Sequence, residues 1–155
     1  MKAWFIGCLG FVWLSATTAA GLPDDRRCIE EAAVRHRLPP SLIRAILRVE
    51  GGQAGRVSHN RNGSFDIGPM QINSIWLPEI RARGGSLELI LHHRCANIEF
   101  GAWLLGRELA GADPARLERA TFWRAVGNYH SRTPALNRAY AARVWRAWQR
   151  EMRAR

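Results

Sequence analysis

A chain of 155 residues with 47% hydrophobic residues and seven tryptophans fits one domain with a substantial buried core. Its formal net charge of +10 points to an anionic partner, such as a nucleic acid, an anionic lipid or an acidic polymer. We expect no nucleic-acid partner, because no basic cluster with interleaved aromatic residues occurs in the sequence. The charge alone does not choose between the other two, and a solvated basic face would also explain it.

The first twenty residues differ in composition from the rest. A short basic start, Met1 and Lys2, precedes the apolar run AWFIGCLGFVWLSA, and TTAA then supplies small residues before Gly21. Because this run is too short to span a bilayer comfortably, we interpret residues 1–20 as a cleaved secretory signal and residues 21–155 as one domain. An uncleaved N-terminal anchor is the alternative.

Removal of the signal would leave two cysteines, Cys28 and Cys95. An even number of cysteines in an exported chain predicts one disulfide. Closing a loop of this length would stabilise the fold by roughly 4 kcal/mol. The HHRC segment at 92–95 matches no zinc-site spacing, so we expect no metal and no other cofactor.

Helical spacing of apolar residues dominates the mature chain and predicts a mostly α domain. The predicted helices are 24–37, 41–50, 69–80, 84–91, 92–109, 114–130 and 133–155. Gly51 and Gly52 provide a stop for the second, Pro69 opens the third, and Thr133 with Pro134 caps and opens the last. The segment 55–68 lacks helical spacing and is rich in Gly, Asn and Ser, which indicates a loop or short hairpin beside a cleft.

One carboxylate, Glu50, precedes this irregular segment, and another, Asp66, lies within it. Glu50 closes an apolar helix, where desolvation would raise its pKa and keep it protonated as a general acid. Asp66, Ser64 and Gln71 lie in or next to the loop and suit a ligand rich in hydroxyl and amide groups, while Trp residues at 76, 103 and 123 could stack on sugar rings. Alternatively, Glu50 is an exposed helix-end acid, Asp66 is a turn residue and the tryptophans are core.

Four segments, ILRVEGG, NRNGSFDIGPMQIN, CANIEFGAWLL and AVGNYHS, resemble in this order the four motifs of the lytic transglycosylase family. The chain is most similar to the small secreted members that accompany type IV and type III secretion, conjugation and pilus systems. The resemblance covers nearly all of residues 25–145. The GSFDIGPMQINSIW segment also resembles the corresponding segment of c-type lysozymes, which share this fold.

The resemblance implies an α+β lysozyme-like fold and a monomeric periplasmic enzyme that opens peptidoglycan locally for an envelope-spanning apparatus. Glu50 falls on the family's single acid/base. It would protonate the β-1,4 bond between N-acetylmuramic acid (MurNAc) and N-acetylglucosamine (GlcNAc), then take a proton from the muramyl C6 hydroxyl. The product would be 1,6-anhydroMurNAc.

The resemblance also assigns substrate-binding residues. Met70 and Gln71 match an element that walls the cleft, Asn97 matches a helix motif, and Tyr129 aligns with the active-site tyrosine. Gly51 departs from the pattern, since many members have Ser there to hold the substrate. A further departure is Asp66, which stands where c-type lysozymes carry their second carboxylate.

Three other functions remain open on these residues. A lysozyme-like hydrolase would use Glu50 and Asp66 as a retaining pair, with their carboxyl groups roughly 5 Å apart. A wall-binding assembly protein would keep the fold without turnover, a reading that Gly51 favours and Glu50 disfavours. A membrane-active protein would need a basic amphipathic helix with a Trp/Leu face, and RVWRAWQREMRAR at 143–155 comes nearest to it.

Overall fold

The computed structural model describes residues 25–110 and 119–153, so the predicted signal at 1–20 lies outside the described residues. Within them, seven helices surround one core and a small antiparallel sheet stands beside it. The helices are α1 Asp25–His36, α2 Pro40–Glu50, α3 Leu77–Ala82, α4 Leu87–His92, α5 Arg94–Leu109, α6 Arg119–Asn128 and α7 Pro134–Arg153. The strands are β1 Val57–His59, β2 Phe65–Ile67 and β3 Ile72–Asn73. This architecture confirms the predicted mostly α, α+β fold class.

Helix α1 packs against α5, and the predicted disulfide between Cys28 and Cys95 joins the two helices. Close by, the guanidinium of Arg94 forms a two-point ion pair with Asp25 at the start of α1, with its Nη2 donating to Oδ2 at 2.7 Å. The bidentate geometry adds orientation to the covalent link. Both contacts fix the N-terminal helix to the middle of the chain.

Helix α2 packs on α7 and α1, and four of its residues, Leu42, Ile43, Ala45 and Ile46, are fully buried. Its last turn ends as the sequence predicts, because Gly51 adopts a left-handed conformation (φ +65°) and its N–H donates to the Leu47 carbonyl at 3.0 Å. The end of the helix therefore presents Glu50 at a fixed position.

Helix α7 packs along α2 and holds its far end as well, since Trp148 Nε1 donates to Ser41 Oγ at 2.7 Å. The helix begins at Pro134, and the Thr133 carbonyl accepts the Asn137 N–H at 2.8 Å, as expected for the residue before a helix. Trp145 and Trp148 pack edge to face, which fits the packing interpretation of the C-terminal segment. No helix within residues 25–110 or 119–153 is long and apolar enough to cross a membrane.

The irregular segment contains the predicted hairpin, in which β1 pairs antiparallel with β2 and Ser58 lies opposite Asp66. The strand β3 extends it to three strands in the order β1-β2-β3, with Asn73 opposite Asp66. The sheet is small, but it places the polar side chains of β2 and β3 beside each other.

The prediction of one helix over 69–80 is wrong. A turn after Gly68 (φ +64°), the strand β3 and a 3-10 turn at Ser74–Trp76 precede α3, which begins only at Leu77. Gln71 is left-handed (φ +49°), and the Met70 N–H donates to the Asn97 side chain at 2.8 Å rather than to a helical carbonyl. Tertiary hydrogen bonds therefore override the helical pattern of apolar residues.

The remaining helices follow their predicted positions with shifted ends. Ser86 caps α4 by accepting the Leu89 N–H at 3.0 Å, which moves its start from 84 to Leu87. The helix α6 begins at Arg119 among the described residues, and residues 114–118 of its prediction lie outside them.

Candidate active site

Glu50 is the last residue of α2 and is partly buried. Burial raises the pKa of its carboxyl to about 7, against the opposing effects of the Tyr140 hydrogen bond and the Arg143 charge; the Asp66 charge adds a smaller rise. The carboxyl is therefore largely protonated at slightly acid pH, as a general acid must be. The desolvation that the sequence led us to expect is the largest cause.

Tyr140 is a partner of Glu50 that no motif in the sequence marks. It is fully buried in α7, and its hydroxyl donates to Glu50 Oε1 at 2.5 Å. Nothing local in the sequence connects residues that lie ninety positions apart. One feature of the sequence does indicate a bond of this kind. A tyrosine on the buried face of a helix needs a hydrogen-bond partner for its hydroxyl.

A stack of rings surrounds this hydrogen bond. The Tyr140 ring lies almost parallel to His130, with centroids 4.9 Å apart, and almost parallel to Tyr129, at 6.2 Å. The Arg143 guanidinium lies 5.4 Å from the Tyr140 ring centroid. Two aromatic rings and one cation therefore pack on the tyrosine that bonds to the acid.

Asp66 stands in β2 at the centre of a polar network. Its Oδ2 accepts from Asn60 Nδ2 at 3.0 Å, and its Oδ1 accepts from Asn73 Nδ2 at 2.7 Å. The same two amides also donate to Ser64 Oγ, at 3.1 and 3.2 Å. Both carboxylate oxygens therefore have a protein donor, and Ser64 belongs to the same network.

The turn after β2 is braced from inside the core. Asn97 of α5 is fully buried; its Oδ1 accepts the Met70 N–H at 2.8 Å, and its Nδ2 donates to the carbonyls of Ile67 at 2.9 Å and Ile90 at 3.1 Å. The Tyr129 hydroxyl donates to the Met70 carbonyl at 2.8 Å. The side chains of Asn97, in α5, and of Tyr129, directly after α6, therefore bond to the N–H and the carbonyl of Met70.

Two of the predicted substrate-binding residues, Met70 and Asn97, lie inside the core. Both side chains are fully buried, so neither offers a surface to a ligand. Gly101 of α5 makes room for Met70, since a Cβ there would lie 2.6 Å from its Cε. We propose instead that the pair positions the turn.

Gln71 follows in the turn and remains partly exposed. Its Nε2 donates to the Gly68 carbonyl at 2.9 Å. Gly52, two residues after the acid, approaches this group so closely that a Cβ would lie 2.1 Å from the Gly68 oxygen and 2.5 Å from Gln71 Nε2. The chain after Glu50 and the turn after β2 are therefore in direct contact.

The tryptophans are engaged in packing. The Arg83 guanidinium lies 4.0 Å from the Trp103 ring centroid, and Trp76 meets the same ring edge to face at 6.2 Å. Trp123 contacts Trp145 at 5.1 Å between centroids. Trp103 and Trp123 therefore pack on neighbouring side chains, as the packing interpretation predicts. Among the described residues, no group of His, Cys, Asp and Glu side chains could hold a metal ion.

Comparison with protein families identifies the family of this chain. The model of the transglycosylase SLT domain matches residues 27–149, which include Glu50, Asp66, Tyr129 and Tyr140. The chain belongs to the transglycosylase SLT domain family. Membership confirms the resemblance carried by the four motifs, and with it the enzyme class of a peptidoglycan lytic transglycosylase.

Individual relatives match this SLT domain over most of their length. Protein IpgF of Shigella flexneri is 31% identical over 128 residues, which cover 79% of this chain and 80% of the relative. Invasion protein IagB of Salmonella typhimurium is 27% identical over 144 residues, covering 90% and 83%. A peptidoglycan-binding-like protein of Escherichia coli O157:H7 is 30% identical over 112 residues, covering 67% and 63%.

Proposed function

We propose that this SLT domain cleaves the MurNAc-β-1,4-GlcNAc bond of peptidoglycan with formation of 1,6-anhydroMurNAc, using Glu50 as its single acid and base. The observation that carries the proposal is the raised pKa of Glu50, about 7, in a site where its carboxyl is held by Tyr140. A carboxyl that titrates near neutral pH can both give and accept a proton there.

In the first step, protonated Glu50 gives its proton to the glycosidic oxygen, and the bond from that oxygen to the muramyl C1 breaks. GlcNAc leaves with its O4 hydroxyl restored. In the second step, the Glu50 carboxylate takes the proton of the muramyl C6 hydroxyl while O6 bonds to C1. Glu50 ends protonated, as it began, and no water is consumed.

Asp66 has a supporting part in this mechanism. Its negative charge raises the pKa of Glu50, so its field reaches the acid. Its oxygens accept hydrogen bonds from Asn60 and Asn73, and these donors occupy lone pairs that an attack on carbon would need. We assign Asp66 the role of polarising the site, together with Ser64, Gln71 and Tyr129 as residues that shape or bind at it.

A hydrolase that uses Glu50 and Asp66 is the second candidate. The electrostatic effect of Asp66 on Glu50 favours it, because a retaining pair needs both carboxyl groups at one site. The two amide donors on Asp66 are the observation against it.

We further propose that the enzyme acts in the periplasm, after removal of residues 1–20, and opens the wall for a secretion, conjugation or pilus apparatus. The support is the similarity to IagB, an invasion protein by name, together with the basic character of the chain. Arginine side chains would concentrate the enzyme on the carboxylates of the wall, so binding to it should weaken with salt.

Mass spectrometry of the soluble products from purified peptidoglycan tests the mechanism. The wild type, Glu50→Gln and Asp66→Asn would be compared, with Glu88→Gln as a control because that glutamate side chain is 82% exposed. We expect anhydromuramyl ends from the wild type, the control and, at reduced yield, Asp66→Asn, and none from Glu50→Gln.

Other outcomes would contradict parts of the proposal. Reducing ends from the wild type, lost in Asp66→Asn, would establish the hydrolase and make Asp66 a catalytic residue. Binding to sacculi without products from any of the proteins would leave the wall-binding assembly protein.

A further inference from the structure

A cavity of about 610 Å³ lies between α6 and α7. Neither Glu50 nor Tyr140 lines it. On α7 the cavity is lined by residues that recur at helical spacing, among them Arg138, Ala141 and Trp145. The buried residues Tyr140, Val144 and Ala147 lie on a different face of the same helix. The volume is within the range of ligand-binding sites. The cavity is therefore a second concave surface, separate from the acid.

Arginines dominate the rim of the cavity. Four of them line it, Arg119, Arg124, Arg132 and Arg138, and no acidic residue of the described chain does. Arg132 is paired with Glu108, at 2.7 Å between Nη2 and Oε1. The other three form no ion pair with any residue in 25–110 or 119–153. Guanidinium groups bind carboxylates through two parallel hydrogen bonds, so the rim selects for an anion with this geometry.

The floor of the cavity is apolar. Trp123 of α6 and Trp145 of α7 meet edge to face across it, and the buried Ala141 adds to it. The amide of Asn137, the buried polar residue of the wall, already donates to the Arg124 carbonyl, Asn128 Oδ1 and the Ser131 carbonyl. Polar recognition is therefore left to the arginine rim, and the floor offers aromatic surface to a large apolar side chain.

We propose that this cavity docks an acidic peptide segment of a partner protein, with a leucine or aromatic side chain on the two tryptophans and flanking carboxylates on Arg119, Arg124 and Arg138. Because the cavity combines an apolar floor with a cationic rim, it favours an anionic protein segment over the anionic stem peptides of the wall. The stem peptides of the wall carry carboxylates, but their alanine methyl groups would leave a floor of this size mostly uncovered. A protein segment can supply both features at once.

Fluorescence anisotropy with labelled hexapeptides provides the test. The probe Glu-Glu-Leu-Phe-Glu-Glu would be compared with Lys-Lys-Leu-Phe-Lys-Lys and with Glu-Glu-Ser-Gly-Glu-Glu. We expect the first to bind most tightly and its affinity to fall with salt. The double variant Arg124→Glu/Arg138→Glu should lose about tenfold or more in affinity for it.

The matched control is Arg146→Glu/Arg150→Glu, which reverses two exposed arginines on α7 outside the cavity. It should keep the affinity of the wild type for the probe. Because the two double variants carry the same change in net charge, they should solubilise peptidoglycan at equal rates. Equal losses in the two double variants, or equal binding of the Ser-Gly probe, would reduce the effect to net charge and overturn the proposal. Loss of sacculus binding in the cavity variant alone, with the Leu-Phe probe unaffected, would identify a wall site instead and also overturn it.

Discussion

Tyr140 donates its hydroxyl to Oε1 of Glu50 across the interface between α7 and α2, and the two side chains form one buried acid–phenol unit. The unit has a defined protonation pattern. Burial, followed by the charge of Glu50, raises the pKa of Tyr140 well above 10, so the hydroxyl remains a donor at every pH at which the enzyme works. The titrating member of the pair is therefore the carboxyl.

Replacing Tyr140 with Phe should shift the pH profile of cleavage. The hydroxyl stabilises the ionised form of Glu50 and lowers its pKa, so its removal raises that pKa further. We expect kcat/KM, which falls on the alkaline side as Glu50 ionises, to fall at a pH about one unit higher than in the wild type. Initial rates of peptidoglycan solubilisation from pH 5 to 9 would show it.

Tyr129→Phe is the matched comparison, because its hydroxyl bonds to the Met70 carbonyl instead of to Glu50. It should reduce activity without moving the alkaline limb. A limb that stays in place in Tyr140→Phe would show that the hydroxyl does not control the ionisation of Glu50.

Glu50→Gln should stabilise the protein at alkaline pH. The carboxyl stays protonated in the folded state up to about pH 7, whereas it ionises near its ordinary pKa of 4.5 in the unfolded chain. Between these values the folded state binds more protons, so the stability of the wild type is lost as pH rises. The difference corresponds to at most ~3 kcal/mol. Because Gln does not titrate, the variant avoids this loss.

Chemical denaturation at pH 4.5 and pH 8 measures the effect. The free energy of unfolding of Glu50→Gln should be near that of the wild type at pH 4.5 and above it at pH 8. Glu88→Gln, at an exposed position, should show a much smaller change between the two. A variant that is no more stable than the wild type at pH 8 would mean that Glu50 ionises without cost.

Asn97→Ala should destabilise the fold although it removes no apolar contact. The change leaves three buried backbone groups, the N–H of Met70 and the carbonyls of Ile67 and Ile90, without these partners. Each such group costs about 1–3 kcal/mol, so we expect a loss of about 3 kcal/mol or more in urea denaturation. Asn62→Ala, at an exposed position, should lose about 1 kcal/mol or less. Equal losses of unfolding free energy in the two variants would show that the hydrogen bonds of Asn97 do not stabilise the turn.

Gly51 and Gly52 should respond differently to the same substitution. A Cβ at Gly51 meets nothing within 4 Å, but φ is +65°, so Gly51→Ser should cost about 1 kcal/mol through backbone strain alone. Gly52→Ser places its Cβ against the Gly68 carbonyl and should cost several times more. Thermal unfolding of both variants checks the order, and a larger loss at Gly51 would contradict it.

Local signals allowed the sequence to predict most helices. The Gly51 stop, the Pro134 start and the pairing of Cys28 with Cys95 depend on neighbouring residues or on simple counting. The segment 69–80 was assigned wrongly because its apolar spacing fits a helix, while Asn97, from a distant part of the chain, takes the Met70 N–H. Hydrogen bonds to distant residues determine the conformation of this segment, and no local sequence pattern indicates them.

In the candidate site, too, local features could be predicted from the sequence and tertiary contacts could not. The position of Glu50, at the end of an apolar helix next to a polar loop, predicts the desolvation and the raised pKa that the structure shows. Tyr140 could not be paired with it, because only the packing of α7 on α2 brings them together. Likewise, the family motifs marked Asn97 and Met70 as special positions without showing that both are buried.

The packing of α7 on α2 also sets an order of events. Glu50 belongs to the first third of the chain, and its hydroxyl partner lies in the last helix. A polypeptide that emerges N-terminus first therefore carries the carboxyl long before it has Tyr140 or the buried setting that α7 provides. The carboxyl acquires its raised pKa only when the final helix has docked on α2.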